Sequence, residues 1–408
     1  MSLECIDITF RDRRATCLQT DSFEVVTTTA SGHLASLRIP DVEVNPLWEP
    51  PWPGMEPGEF DPEKHLEIYG PGEGRLLASL VGHNVCLNHF GDLSEAEEAA
   101  VGYHHGETSN LPWTVFEQAA DASEARLEYG LDLPQAQMRF RRVLRIRPGE
   151  STLYIREITT NLIRSDTPFC CQQHVTLGPP FVEEGVTILD LPAQRGHTYK
   201  EPPDGSGFFA PDRPYDWPHA PLPAGGTYDL RRYPEGIFSY GITVLLEPEE
   251  EFAYTAVSNP KLGLLLIYLF PRTVFPWTSL WGENKGIDYL PYSGRTTTWG
   301  VEFGSVPMAI NLRDTLTAGP LLGVPRFGIL PAKHAIEVNY QAHLLRIPDD
   351  WQGVDRIEFT DGQTIAWETG SERNVTTPSD WQVSARTSPA GLDGCSRGYR
   401  RQYPSSSR

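Results

Sequence analysis

At 408 residues the chain is long enough to bury a large core, and its 54 acidic against 34 basic side chains give a net charge of −20. A field of that sign repels nucleic acid and anionic membrane surfaces, so neither is expected as a partner. No run of about 18 apolar residues is present, so no helix is expected to span a membrane.

Glycine and proline number 36 each and apolar runs are short, which favours many strands over long helices. Six scattered cysteines, Cys5, Cys17, Cys86, Cys170, Cys171 and Cys395, form no C-x-x-C pair. The first residues lack a basic segment followed by an apolar one, so reduced thiols and a cytoplasmic location are expected.

Residues 3 to 29 alternate apolar and polar through Ile6-Asp-Ile8-Thr-Phe10 and Phe23-Glu-Val25, with a polar break near Arg11 to Arg14. That period predicts strands joined by turns. Ser31-Gly32-His33 then turns into Leu34-Ala-Ser-Leu37-Arg-Ile39. Residues 45 to 62 hold Trp48, Trp52 and six prolines, too many for a regular element, and predict an aromatic surface loop beside a cleft.

Gly82-His83-Asn84-Val-Cys86-Leu-Asn88-His89-Phe90-Gly91 brings two imidazoles and two amides together. Between Asp92 and Gly102 a short helix is predicted, because Ser94-x-x-Glu97 is a capping box, acidic residues fill the first turn and Gly102 stands at the stop. The helix delivers the chain into Gly102-Tyr-His104-His105-Gly106-Glu107-Thr-Ser-Asn110. Two glycines there let imidazoles, a carboxylate and an amide converge.

Gln137 to Ile163 predicts a hairpin turning at Pro148-Gly149-Glu150. Arg139, Arg141, Arg145 and Arg147 share parity and are read as a solvated face. Phe169 to Gly178 predicts a strand stopped by Pro179-Pro180, with Gln172, His174 and Thr176 on its polar side. Residues 194 to 235, rich in Pro, Gly, Tyr and Asp, predict a lid or binding rim.

Strands resume at Gly241 to Leu246, Phe252 to Val257 and Leu262 to Phe270, and Phe275 to Trp281 reads as turn-prone. In Arg295 to Gly304, Thr296, Thr298, Gly300 and Glu302 share one face, and Thr297, Trp299, Val301 and Phe303 the apolar other. A carboxylate thus projects from a strand whose back is apolar. Beyond Gly370, six arginines face only Glu372, Asp380 and Asp393. Residues 1–370 are therefore read as one domain, and 371–408 as a disordered or loosely attached tail.

No Walker-type loop or G-x-G-x-x-G appears, so no nucleotide cofactor is expected. The pieces that stand out are the His104-His105-Gly-Glu loop, His174 and Glu302. A carboxylate base and imidazole acids facing a cleft are equipment for proton transfer to and from oxygen. Asn, Gln and acidic groups suit sugar hydroxyls and aromatic rings suit the flat faces of sugars. Trp277, Trp281 and Trp299 read first as core, and Trp281 is kept as a candidate sugar platform. His83, His89, His104 and Glu107 are residue types that bind metals, but they show no recognised ligand spacing, so no metal is expected.

In this order of signals the chain resembles the galactose mutarotase-like (aldose 1-epimerase) superfamily. The likeness spans about residues 20 to 368 and rests on short motifs: Gly32 to Leu37, Asn84 to Gly91, His105-Gly106, the strand histidine His174, and Glu302 followed by Pro307. It implies an all-β fold, a large antiparallel β-supersandwich with few short helices. It also implies a sugar mutarotase, an isomerase working without cofactor, in which Glu302 takes the anomeric proton, His174 protonates the ring oxygen and His105 orients the sugar. Asn88, His89, His104, Glu107, Gln172, Trp281 and Asp288 are the candidate substrate contacts. Many relatives carry arginine where this chain has Asn88-His89, and the usual His-Gly-Phe is here His-Gly-Glu. Two other readings stand beside the enzyme: a non-catalytic carbohydrate-binding protein on the same scaffold, and a metal-dependent sugar isomerase or lyase.

Overall fold

The computed structural model describes residues 3–100, 102–200 and 207–390, and two large antiparallel sheets enclose its core. The first has eleven strands, in spatial order Glu4–Phe10, Arg13–Gln19, Glu24–Thr28, Leu34–Arg38, His83–Leu87, Cys171–Leu177, Thr297–Gly304, Trp277–Asn284, Phe238–Leu246, Ala193–Thr198 and Pro214–Asp216. The second is built around Phe252–Asn259, Leu264–Pro271, His334–Arg346, Thr152–Asn161, Met138–Ile146 and Ala125–Leu133. This is the antiparallel β-supersandwich expected from the sequence.

Burial explains the strand patterns. In Leu264–Pro271 every residue is buried, because Leu266, Tyr268 and Phe270 enter the main core while Leu265, Ile267 and Leu269 enter a second one. The second core lies against a three-stranded sheet, Val354–Thr360, Gln363–Glu368 and Asn374–Pro378, through Ile357 and Ala366. A strand covered on both faces reads as a continuous apolar run rather than an alternating one.

The predicted hairpin is present as Met138–Ile146 and Thr152–Asn161. The predicted helix is Glu95–Ala99, with both halves of the capping box made: Glu97 Oε2 accepts from Ser94 N at 2.7 Å, and Ser94 Oγ from Glu97 N at 3.4 Å. No helix among the described residues is long and apolar enough to cross a membrane.

Four expectations are corrected. Trp277–Asn284 is a strand, not a turn, because it pairs along its whole length with both Phe238–Leu246 and Thr297–Gly304. Within 194–235, strands form at Ala193–Thr198, Pro214–Asp216, His219–Pro221 and Thr227–Asp229, three of them three residues long and so too short to show a period. Residues 201–206 of that stretch lie outside the described residues. Trp48 and Trp52 of the Pro-rich segment are each 2 % exposed, packed on each other and on Tyr69 and Leu77 instead of lying on the surface. Residues 371–390, assigned to the tail, carry Asn374–Pro378 and Ser384–Pro389, which pair into sheets; the rest of the tail, 391–408, lies outside the described residues. Its Asp380 and Gln382 take hydrogen bonds from Arg147 and Arg145, so that arginine face is partly covered.

One polar network crosses the core. Arg142, fully buried, reaches Glu157 Oε1 at 2.7 Å and donates to Gly32 O at 3.0 Å. Glu157 also accepts from Tyr340 at 2.8 Å and from Gln173 Nε2 at 2.7 Å, and Gln173 Oε1 lies 2.9 Å from His83 Nε2. Gln173 and His83 belong to the first sheet and Arg142, Glu157 and Tyr340 to the second, so the network ties the two sheets in one register.

Candidate active site

Gln173 faces inward, so period two turns Gln172, His174 and Thr176 outward on the same strand. The register aligns their neighbours. Asn84 pairs with His174 and Cys86 with Gln172 on one side. On the other, Gln172 pairs with Gly304 and Thr176 with Gly300, which places Glu302 directly across from His174. Ser279 pairs with Glu302, and Trp281 with Gly300. Four strands thus present one row, Asn84, His174, Glu302 and Ser279.

His174 Nε2 lies 3.3 Å from Glu302 Oε1, and His174 Nδ1 lies 3.0 Å from Thr176 Oγ1. Room for the carboxylate comes from Gly300, where a Cβ would overlap Glu302 Oε1. Burial dominates the electrostatics. It raises the Glu302 pKa well above the ordinary carboxylate value and pulls His174 down to about 4. Glu302 is 2 % exposed and His174 7 %, so the pair lies beneath neighbouring side chains.

His105 is one of these neighbours. Its ring stands edge-on to His174 at 5.2 Å and to Phe90 at 5.4 Å, and its Nδ1 is 3.4 Å from Cys86 Sγ. Burial holds its pKa well below the imidazole norm, and the neighbouring His174 adds to that. The loop that presents it is tied down by its own polar residues. Asn110 Nδ2 donates to His104 O at 2.7 Å and Gly106 O at 2.8 Å, and Thr108 and Ser109 both donate to Val85 O. Gly106 takes φ +82°, where a side chain would run into Leu87 O.

The other candidates divide. Gln172 belongs to the same face: its Nε2 donates to Glu302 O at 2.8 Å. Trp281 stands 6.5 Å from His174, ring to ring, and 6.2 Å from Trp48. Glu107 does not join them, because its carboxylate accepts the Gln135 and Ala136 amides at 3.0 and 2.8 Å and secures that turn. Asn88 and His89 line a separate cavity of about 150 Å³ with Leu93 and Tyr103, and His89 Nε2 is bound to Gly91 O at 2.8 Å. Asp288 is exposed beyond the Trp281 strand and makes no hydrogen bond or ion pair with the row among the described residues.

His104 points the other way from His105, toward Asp92 at 3.7 Å and Glu73 at 3.9 Å. Burial lowers its pKa, but the two carboxylates outweigh that and hold it above the norm. The four residues considered as a metal set do not converge: His83 is in the core network, and His89 and Glu107 are engaged as described. Among the described residues, the donors that do approach one another, within 4.8 Å, are Glu73, Asp92 and His104.

Sequence reasoning did not single out Asn84, Cys86 or Ser279 as part of one row. Their parity was visible, but which strands lie side by side was not.

The fold is shared with solved structures named as aldose 1-epimerase and galactose mutarotase-like proteins. Among solved structures, the chain matches a protein from Klebsiella pneumoniae provisionally named an aldose 1-epimerase, with a TM-score of 0.61 at 15% identity over 83% of this chain and 82% of that one. It also matches a galactose mutarotase-like protein from Clostridium acetobutylicum, with a TM-score of 0.55 at 13% identity over 85% and 99% of the two chains. A further match is a provisionally named aldose 1-epimerase from Escherichia coli, with a TM-score of 0.53 at 11% identity over 82% and 99%. No family model and no curated protein matches the sequence. At these identities the likeness establishes the fold.

Proposed function

We propose that this protein is a sugar mutarotase, an aldose 1-epimerase-like isomerase that interconverts anomers by general acid–base catalysis at Glu302 and His174. The observation that carries the reading is the 3.3 Å approach of His174 Nε2 to Glu302 Oε1 on neighbouring strands. With the carboxyl raised and the imidazole lowered, burial favours the uncharged pair, a protonated Glu302 beside a neutral His174. Moving that proton from Glu302 to His174 creates a carboxylate base and an imidazolium acid without exchange with solvent. Glu302 then takes the proton of the anomeric hydroxyl while His174 protonates the ring oxygen, and the C1–ring-oxygen bond breaks to give the open-chain aldehyde. Rotation about C1–C2 and the reverse transfers close the other anomer and return both protons. No net redox change or cofactor is involved.

His105, neutral, stands edge-on against His174 in the free protein. Trp281 offers the ring face against which the pyranose lies. The experiment is exchange spectroscopy on free aldoses with and without protein. Wild type should accelerate anomer exchange, and Glu302→Gln should lower that acceleration by about 10²- to 10⁴-fold while the far-UV circular dichroism stays the same. Sugar binding with exchange no faster than in buffer identifies the non-catalytic binding protein instead.

A further inference from the structure

Two acceptor oxygens on the proposed active-site face are buried and without a hydrogen-bond partner: Asn84 Oδ1 and Gln172 Oε1. Asn84 and Gln172 are both 0 % exposed. The orientation of each amide follows from its neighbours. Gln172 Nε2 faces the carbonyl of Glu302 at 2.8 Å, which only accepts. Asn84 Nδ2 lies 2.9 Å from Ser109 Oγ, whose own proton is given to Val85 O at 2.7 Å. Both amide nitrogens are therefore used, and both oxygens are left over. A buried carbonyl oxygen without a donor is unfavourable, so such a set selects a ligand that brings hydroxyl protons to it.

Position in the row says which hydroxyl each oxygen meets. His174 lies on the middle strand, Glu302 directly across from it on one side and Asn84 directly across on the other. In a pyranose the ring oxygen likewise has two neighbours: C1 with the anomeric hydroxyl, and C5 with the exocyclic CH2OH. Resting on the mutarotase reading, with the anomeric hydroxyl at Glu302 and the ring oxygen at His174, the far side of His174 meets the C5 substituent. We propose that Asn84 is a specificity-determining residue whose Oδ1 accepts a hydrogen bond from the 6-hydroxyl, so that the site takes neutral hexopyranoses with a free CH2OH. A 6-phosphate or a uronate brings negative charge to this oxygen with no lysine or arginine in the row to meet it. A pentopyranose or a 6-deoxyhexose leaves the oxygen unpaired.

The test compares anomer exchange for an aldohexose, its 6-deoxy counterpart and the matching pentopyranose, with wild type, Asn84→Ala and Asn84→Ser. Sites built to bind a hydroxyl reject analogues lacking it strongly, so wild type should favour the hexose by about 100-fold or more in kcat/KM. In both variants the hexose rate should fall to that of the 6-deoxy sugar, collapsing the ratio to near unity, whereas a purely structural loss lowers all three rates together and keeps the ratio. The two variants guard against misfolding, since serine keeps a polar group and little volume is lost. Equal wild-type rates for the three sugars, or a ratio unchanged in both variants, overturns the assignment and leaves the mutarotase reading standing. No exchange with any sugar overturns that reading and this one with it.

Discussion

Glu302 stands directly across from His174, and the glycines two positions to either side of Glu302, Gly300 and Gly304, keep the ground beside the pair clear of side chains. A Cβ at Gly304 would overlap Gln172 Oε1 in the same way that one at Gly300 would overlap Glu302 Oε1. The row therefore depends on absent side chains as much as on present ones.

Gly300→Ala tests that dependence. Gly300 has no left-handed backbone to lose, so the added methyl acts by displacing the Glu302 carboxyl from His174. Anomer exchange should fall by at least about 10-fold, since a shift of about 1 Å in a reacting group can cost 10²-fold. The melting temperature, measured alongside, should move by only a few degrees. Unaltered exchange in a folded Gly300→Ala protein contradicts the role given to the Glu302–His174 approach.

The pH dependence follows from the proton that Glu302 carries beside a neutral His174. Below about 4, where His174 gains its proton while Glu302 keeps its own, no base remains and the rate falls. Above the raised pKa of Glu302 the last proton is lost, no acid remains and the rate falls again. Between the two the profile of kcat/KM should be flat, its acid limb well below the usual imidazole value of 6.5. An acid limb at 6.5 in the measured profile excludes His174 as the buried partner of Glu302.

The core network predicts a stability effect away from the site. Glu157→Leu leaves the buried Arg142 guanidinium without its carboxylate and also removes the acceptor of Tyr340 and Gln173. Breaking a buried pair in this way costs about 3–5 kcal/mol, which urea unfolding can measure directly. Because Gln173 adjoins His174, the folded fraction of the variant should also show slower exchange. A loss below about 1 kcal/mol contradicts the cross-sheet role of Glu157.

Local patterns settled much of this protein. The capping box Ser94-x-x-Glu97, the Pro148-Gly149 hairpin and the alternation of Gln172, His174 and Thr176 each depend on residues a few positions apart, so short-range hydrogen bonding and side-chain parity decide them. The parity of Glu302 and the core placement of Trp299 were legible for the same reason. Trp277–Asn284 was misread because its strand character comes from two neighbours that it meets only in the fold.

Only the tertiary structure decided which polar residues share a surface. His104 and His105 are adjacent in sequence, yet one turns to Glu73 and Asp92 and the other to His174. Glu107, in the most suggestive stretch of the chain, holds a backbone turn, while Asn84, 90 residues before His174, lies beside it. Sequence order constrains a strand's faces through the period of two. The identity of its neighbours is set by the burial of whole sheets, and that no local pattern encodes.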